Sequence, residues 1–293
     1  MLLTRPLAAL AVLTAAACAP PGQASTCGVP ERIAQLPSEL DEASGITAGR
    51  ARPDVLWVHN DSEGRASLYA LDAAGALVQT VRVPDVPDSP DWEDIEAGPC
   101  GPEGGHCLWI ADIGDNRHDR ADRALLRIPE PAPGDTVSQP PERFPIAYPD
   151  APADAEAFFL LPGPEAWLIT KGRTGPVAVY RYPTPLRADQ PVTLEKVQEL
   201  TEGLVQIPDM VTGAAATADG GTVAVRTYST LRLYHLVDGR MASVGDALDL
   251  TPLDEFQGEG VTLLPDGTVY LVSERGLERN EAPPLSRATC RLE

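Results

Sequence analysis

Long apolar runs are scarce in this 293-residue chain. Beyond the first two dozen residues no segment is apolar enough to cross a bilayer as a helix, which excludes a helical polytopic membrane protein. Basic residues are also few. Lys and Arg number 23 against 43 Asp and Glu, for a net charge of −20. That balance excludes nucleic acid as a partner, because phosphate backbones are met by basic patches. Only four histidines occur and no Gly-x-Ser-x-Gly elbow is found, so nothing points to a covalent serine nucleophile. Amphipathic helices are missing as well, since 30 Pro and 25 Gly interrupt nearly every window long enough to hold one. Alternating βαβ folds are thereby excluded. Aromatics make up 5%, a composition that would suit a disordered tail. Short apolar runs such as Val55-Leu56-Trp57-Val58 and Val269-Tyr270-Leu271-Val272 recur throughout, however, and they require an ordered β-protein.

The N-terminus reads as an export signal. Arg5 supplies a positive start, residues 7–17 form an apolar run, and Ala15-Ala16-Ala17 offers small residues for cleavage. Cys18 follows directly. This end resembles a bacterial lipoprotein signal, which implies that Cys18 carries lipid; the family pattern prefers Leu where Ala15 stands, so ordinary secretion remains the alternative. The expected organisation is a signal peptide over 1–17, a tether over 18–26 and one domain over 27–293. The expected location is periplasmic, on the cell surface as a lipoprotein, or secreted, with membrane contact only through the lipid.

The cysteines agree with export. Setting Cys18 aside leaves Cys27, Cys100, Cys107 and Cys290, an even set. Cys100 and Cys107 bracket the turn-rich Gly-Pro-Glu-Gly-Gly-His, whereas Cys27 and Cys290 lie at opposite ends of the mature chain. Three pairings exist, and local chemistry favours 100–107 with 27–290. A metal site using Cys100, His106 and Cys107 is the rival reading, and oxidising compartments favour the disulfide.

Internal repetition is the most informative feature. Five units begin with a small or acidic polar residue and a small residue: Ser44-Gly45-Ile46, Glu93-Asp94-Ile95, Glu156-Ala157-Phe158, Thr212-Gly213-Ala214 and Glu259-Gly260-Val261. Each continues into an apolar strand, a turn and a second strand, and four add a third. Spacing of about 47 to 63 residues suits a four-stranded blade. The expected fold is therefore all-β, a five-bladed β-propeller, with six blades as the alternative count. The fifth unit lacks an outer strand, which residues 31–36 can supply, closing the ring beside a Cys27–Cys290 bond.

In an up-and-down blade the start of strand one and the end of strand two share one end. The openers Glu93, Glu156 and Glu259 should therefore meet the closers Asn60, Asp61, Asp112, Asp115, Asn116, Lys171, Arg226 and Glu274 around one channel mouth. Three glutamates in one narrow mouth repel unless a cation joins them. Oxygen donors without thiolate suit Ca²⁺ over Mg²⁺, and either over Zn²⁺. The expected metal ligands are Glu93, Glu156, Glu259, Asp112 and Asn60. Asp61, Asp115, Asn116, Lys171, Arg226 and Glu274 are expected to contact a small anionic ligand beside the metal. A purely solvated rim is the plainer alternative for each, and Trp92 is a candidate ligand platform.

The stretches Glu42-Ala-Ser-Gly-Ile, His59-Asn-Asp-Ser, Asp91-Trp-Glu-Asp-Ile, Asp112-Ile-Gly-Asp-Asn, Asp154-Ala-Glu-Ala and Val225-Arg-Thr-Tyr resemble a group of secreted bacterial propellers of mostly unassigned function. More distantly the chain is similar to phytase-like and gluconolactonase-type propellers. That resemblance implies a divalent cation in an acidic channel, and with it a metal-dependent hydrolase of a phosphoester, ester or lactone. No catalytic residue of those families maps onto this sequence. The expectation is a monomer that binds a cation and an anionic small molecule, with the hydrolase as the alternative.

Overall fold

Pro, Gly and Asp punctuate the chain so often that every regular element stays short. The computed structural model describes residues 26–62, 65–86, 91–151, 153–276 and 282–292. The segment expected as a signal peptide, Cys18 and nearly all of the expected tether lie outside the described residues. Strand β1 (Glu31–Gln35) precedes four consecutive sheets. The first contains β2 (Ala43–Ala48), β3 (Leu56–Asn60), β4 (Ser67–Leu71) and β5 (Leu77–Arg82). The second contains β6 (Trp92–Pro99), β7 (His106–Asp112), β8 (Ala124–Pro129) and β9 (Glu142–Ala147). The third uses β10 (Ala155–Leu161), β11 (Glu165–Thr170) and β12 (Ala178–Arg181). After β13 (Val192–Thr193), which runs parallel to β9 and extends the second sheet, it is completed by β14 (Glu195–Glu199). The fourth holds β15 (Val211–Ala216), β16 (Val223–Thr227), β17 (Thr230–Val237) and β18 (Arg240–Asp249). The last joins β19 (Gln257–Leu263), β20 (Thr268–Glu274) and β21 (Pro284–Thr289) to β1. The five sheets are the blades of a β-propeller, with almost no helix among the described residues.

Inner strands are buried on both faces, as in β15, whereas the outer β5 alternates between exposed positions and half-buried or, at Val81, buried ones. Crowding near the axis explains the small residues that open each unit. A Cβ on Gly213 would lie 2.7 Å from the Glu259 carbonyl oxygen of the next blade. Between blades the core is apolar. Trp57 packs with Trp92, Ile95 and Leu108, Trp109 with Phe144 and Phe158, and Trp167 with Phe159 and Ala214. Each such side chain contributes on the order of 1.5–3 kcal/mol on burial.

Strands one and two slip register in every blade, between Ala43/Ile46, Trp92/Asp94, Ala155/Ala157, Val211/Gly213 and Gly258/Val261. Ser44, Glu93, Glu156, Thr212 and Glu259 fall inside these five irregularities. A bulge re-aims a side chain that regular pleating would send elsewhere.

The ring closes as the repeat count requires. β1 pairs antiparallel with β21, with Glu31 opposite Arg287 and Gln35 opposite Pro284. Cys27 and Cys290 face each other across a bridge and form one disulfide; Cys100 and Cys107 form the other. Arg32 ties the clasp to the neighbouring loop by donating to the carbonyls of Leu253 and Asp254, each at 2.7 Å. Two disulfides fit an oxidising compartment and hence export. Among the described residues no helix is long and apolar enough to cross a membrane.

Candidate functional site

The bulged openers divide into two kinds. The hydroxyls act as straps between blades: Ser44 Oγ donates to the Glu93 carbonyl at 2.7 Å, and Thr212 Oγ1 to that of Gly258 at 2.8 Å. The acids face open space. Glu93, Glu156 and Glu259, each no more than 4% exposed, line one cavity of about 600 Å³ together with Asp61, Asn116, Lys171 and Glu274. The channel is plugged beneath them. The carboxylate of Asp94, fully buried, accepts the backbone N–H groups of Ile95 (2.9 Å), Phe158 (2.9 Å) and Ala214 (3.0 Å), so one side chain ties blades two, three and four at the axis.

Burial and mutual repulsion push the acids upward. Glu93 is raised well above the ordinary carboxyl range by burial, then by Glu156, Asp61 and Asp91. Glu259 is raised by burial, then by Glu156 and Glu274. Glu274 reaches about 7, chiefly through burial and then through Glu42. Lys171 offsets part of this, its Nζ lying 2.9 Å from Glu156 Oε1. Burial works to lower the lysine, but Glu156 overrides it and holds the ammonium above its ordinary value. His59 is neutral instead, lowered to about 4 by burial, with Nδ1 2.9 Å from the Asn60 carbonyl.

The tightest group of oxygen donors is Asp61, Asp91 and Glu93, whose ligand atoms all lie within 4.8 Å of one another. Asp61 Oδ1 and Glu93 Oε1 are buried without a hydrogen-bond partner. The Gly114 backbone forms the wall behind them: a Cβ there would collide with Glu93 Oε1 and the Asp91 carboxyl. The donors are carboxylate oxygens alone, and their orphaned lone pairs fit a hard divalent cation.

The remaining expected residues are placed as follows. Asp112 is engaged by Arg120 at 2.7 Å and accepts the Asp91 N–H at 3.3 Å. Asn60 donates from Nδ2 to the Glu39 carbonyl at 2.8 Å. Asp115 accepts the N–H groups of Asp119 (2.8 Å) and Arg120 (3.1 Å) and pairs with Arg123, an internally satisfied turn. Arg226 is fully buried and donates to the carbonyls of Gly260 (2.8 Å) and Val272 (2.9 Å) and to Glu255, so it fastens β16 to the last blade. Trp92 is 1% exposed, meets the His59 ring edge-on at 5.6 Å, and belongs to the core. Asp91, which the sequence places beside the glutamates, joins the oxygen cluster. Arg173 is new to the site and pairs with Asp154 at 2.9 Å. The two cations lining the cavity, Lys171 and Arg173, are thus both paired with carboxylates.

No protein-family model and no curated protein sequence matches the chain. Solved structures do. A PQQ-bound aldose sugar dehydrogenase from Streptomyces coelicolor superposes with a TM-score of 0.57 at 12% identity, covering 93% of this chain and 100% of that one. The soluble aldose sugar dehydrogenase from Escherichia coli, in its apo form, gives 0.52 at 11%, covering 89% and 99%. A gluconolactonase from Xanthomonas campestris gives 0.45 at 12%, covering 94% and 99%. At such identities the likeness shows the propeller fold alone.

Proposed function

We propose that this exported propeller binds a divalent cation, calcium in preference to magnesium, through Asp61, Asp91 and Glu93. The observation that carries the reading is the convergence of three carboxylates within 4.8 Å, two of them with buried, unpartnered oxygens. Calcium is favoured because it tolerates irregular sets of oxygen ligands, whereas magnesium demands near-ideal octahedral geometry. An anionic small molecule would enter as a further ligand to that cation, since Lys171 and Arg173 already hold carboxylates. The test is thermal unfolding after chelation, then with added Ca²⁺ or Mg²⁺. Calcium at a hundredfold excess over its Kd should stabilise by about 2.7 kcal/mol. A melting temperature indifferent to both ions and to chelator removes the reading.

One observation favours a hydrolase as the second reading. Glu274 lines the same cavity and titrates at about 7, which suits a general base near neutral pH. The cation would supply polarisation of a bound water. Turnover in a calcium-supplemented screen of phosphoesters, esters and lactones, lost in Glu274→Gln, would support it; cation binding without turnover would favour the binding protein.

A further inference from the structure

The oxygen cluster occupies only the side of the cavity built by blades one and two. Blades four and five build the other side, and its chemistry is different. Glu259 and Glu274 line it and make no ion pair with any described residue; both accept from a neutral donor, Gln257 Nε2, at 3.4 and 2.8 Å. Glu259 is 4% exposed. Beside them the wall turns apolar. Ile207, held out on the single-turn segment Ile207–Asp209, is 68% exposed, and Phe256 is 47% exposed. Both line the cavity, as does the ring of Tyr228, which lies 5.9 Å from Lys171 Nζ. Large apolar side chains left in water at the lip of a cavity mark a surface that gains by being covered.

Charge decides what kind of molecule covers it. Lys171 and Arg173 are matched by Glu156 and Asp154. Arg120 already faces Asp91 at 3.4 Å, so a divalent cation at the oxygen cluster would be balanced by the other two carboxylates, Asp61 and Glu93. Among the described residues Glu259 and Glu274 then have no ion-pair partner, and a cationic head placed between them would favour their charged forms against the burial that raises them. An anion placed there meets two carboxylates, whereas an ammonium group meets two acceptors and an aromatic face. We propose that this half of the cavity binds an organic ammonium ligand, its charged head between Glu259 and Glu274 and its apolar body against Ile207 and Phe256. This deepens the cation-binding reading of the mouth and rests on it only for the sharing of one cavity, not for the contacts named.

The probes are methylammonium, n-hexylammonium and hexanoate, titrated calorimetrically into calcium-loaded and chelated protein. Hexylammonium should bind at least tenfold tighter than methylammonium, because each buried methylene strengthens binding about fourfold. Hexanoate should bind at least tenfold more weakly than hexylammonium. Glu259→Gln with Glu274→Gln should weaken hexylammonium at least tenfold. Ile207→Ser with Phe256→Ser should abolish the chain-length gain, read as the ratio of hexylammonium to methylammonium affinity; because both residues are surface-exposed, that variant keeps the test valid should the acid variant misfold. Equal binding of hexanoate, no chain-length gain, or no ammonium binding in either protein overturns the proposal. Ammonium binding without any calcium response would instead overturn the metal reading and leave this one standing.

Discussion

Removal of the Cys27–Cys290 bond should cost the fold far more than removal of Cys100–Cys107. The first joins residues 263 apart and the second residues 7 apart. A cross-link stabilises chiefly by restricting the unfolded chain, so the chain-entropy relation gives about 5.5 kcal/mol for the long loop and about 2.4 for the short one. Without the long bond, β1 keeps its four paired positions, the Arg32 contacts, the Glu31–Arg287 ion pair at 2.7 Å and the flanking backbone hydrogen bonds of Gly28 and Leu36, yet it is a five-residue strand with a chain end, free to fray and expose the edge of β21. For a domain of this size the unfolding entropy converts about 5.5 kcal/mol into a fall of about 10 °C in melting temperature. The short loop should lose about 4 °C. The assay compares Cys27→Ser/Cys290→Ser with Cys100→Ser/Cys107→Ser by calorimetry and urea titration, so that the chemical change is common to both. Equal losses, or a larger loss from the seven-residue loop, would refute the clasp as the element that holds the ring.

Glu274 carries a folded pKa of about 7 against an ordinary 4.5. Its protonated form is the one the fold favours, so the contribution is complete below pH 4.5 and lost as pH rises through 7. At one pKa unit per 1.36 kcal/mol the loss is at most about 3 kcal/mol. In chelated protein, Glu274→Gln should therefore flatten the decline in stability between pH 4.5 and 7, and an unchanged slope counts against the burial described. Asp94→Ala orphans three buried N–H groups and should cost about 4 kcal/mol or more in urea titration; a loss under about 1 kcal/mol would mean that the axial plug is not a structural tie. Arg226→Met strands buried Glu255 and two carbonyls, for about 3–5 kcal/mol, and adding Glu255→Leu should recover part of it. Gly114→Ala pushes a methyl against Glu93 and Asp91 and should abolish the calcium-induced rise in melting temperature; a full rise would place the ion elsewhere.

Much of this architecture could be read from residue order because it rests on repetition. The apolar second strands and the polar openers recur at fixed places, the split cysteine pair marks the two ends, and the five blades and closing strand follow. The outer strands were hidden for a physical reason. β5 carries Gln79, Thr80 and Arg82 among its apolar residues, and β18 carries Gly245 and Asp246, so half-exposed edges dilute the alternation that marks a strand. At the mouth, the three glutamates were legible as repeat equivalents. The fate of Asp112 was not, since it depends on Arg120 folding back from a loop eight residues later. Arg226 did carry a signal: an arginine closing the apolar run Val223-Ala224-Val225 is more at home fastening carbonyls than meeting solvent.

The five register slips between first and second strands have a wider consequence. Each uncouples one side chain from the alternation that the rest of its blade must obey, so the residue there is free either to strap two blades together, as Ser44 and Thr212 do, or to answer to the mouth. Hydroxyls occupy two of these positions and carboxylates three. Exchanging one type for another would alter the chemistry presented at the axis while leaving the tryptophan layers between blades untouched. The ring thus behaves as a cipher of three free places, with two more tied into the scaffold, and a new specificity requires new letters only at the three.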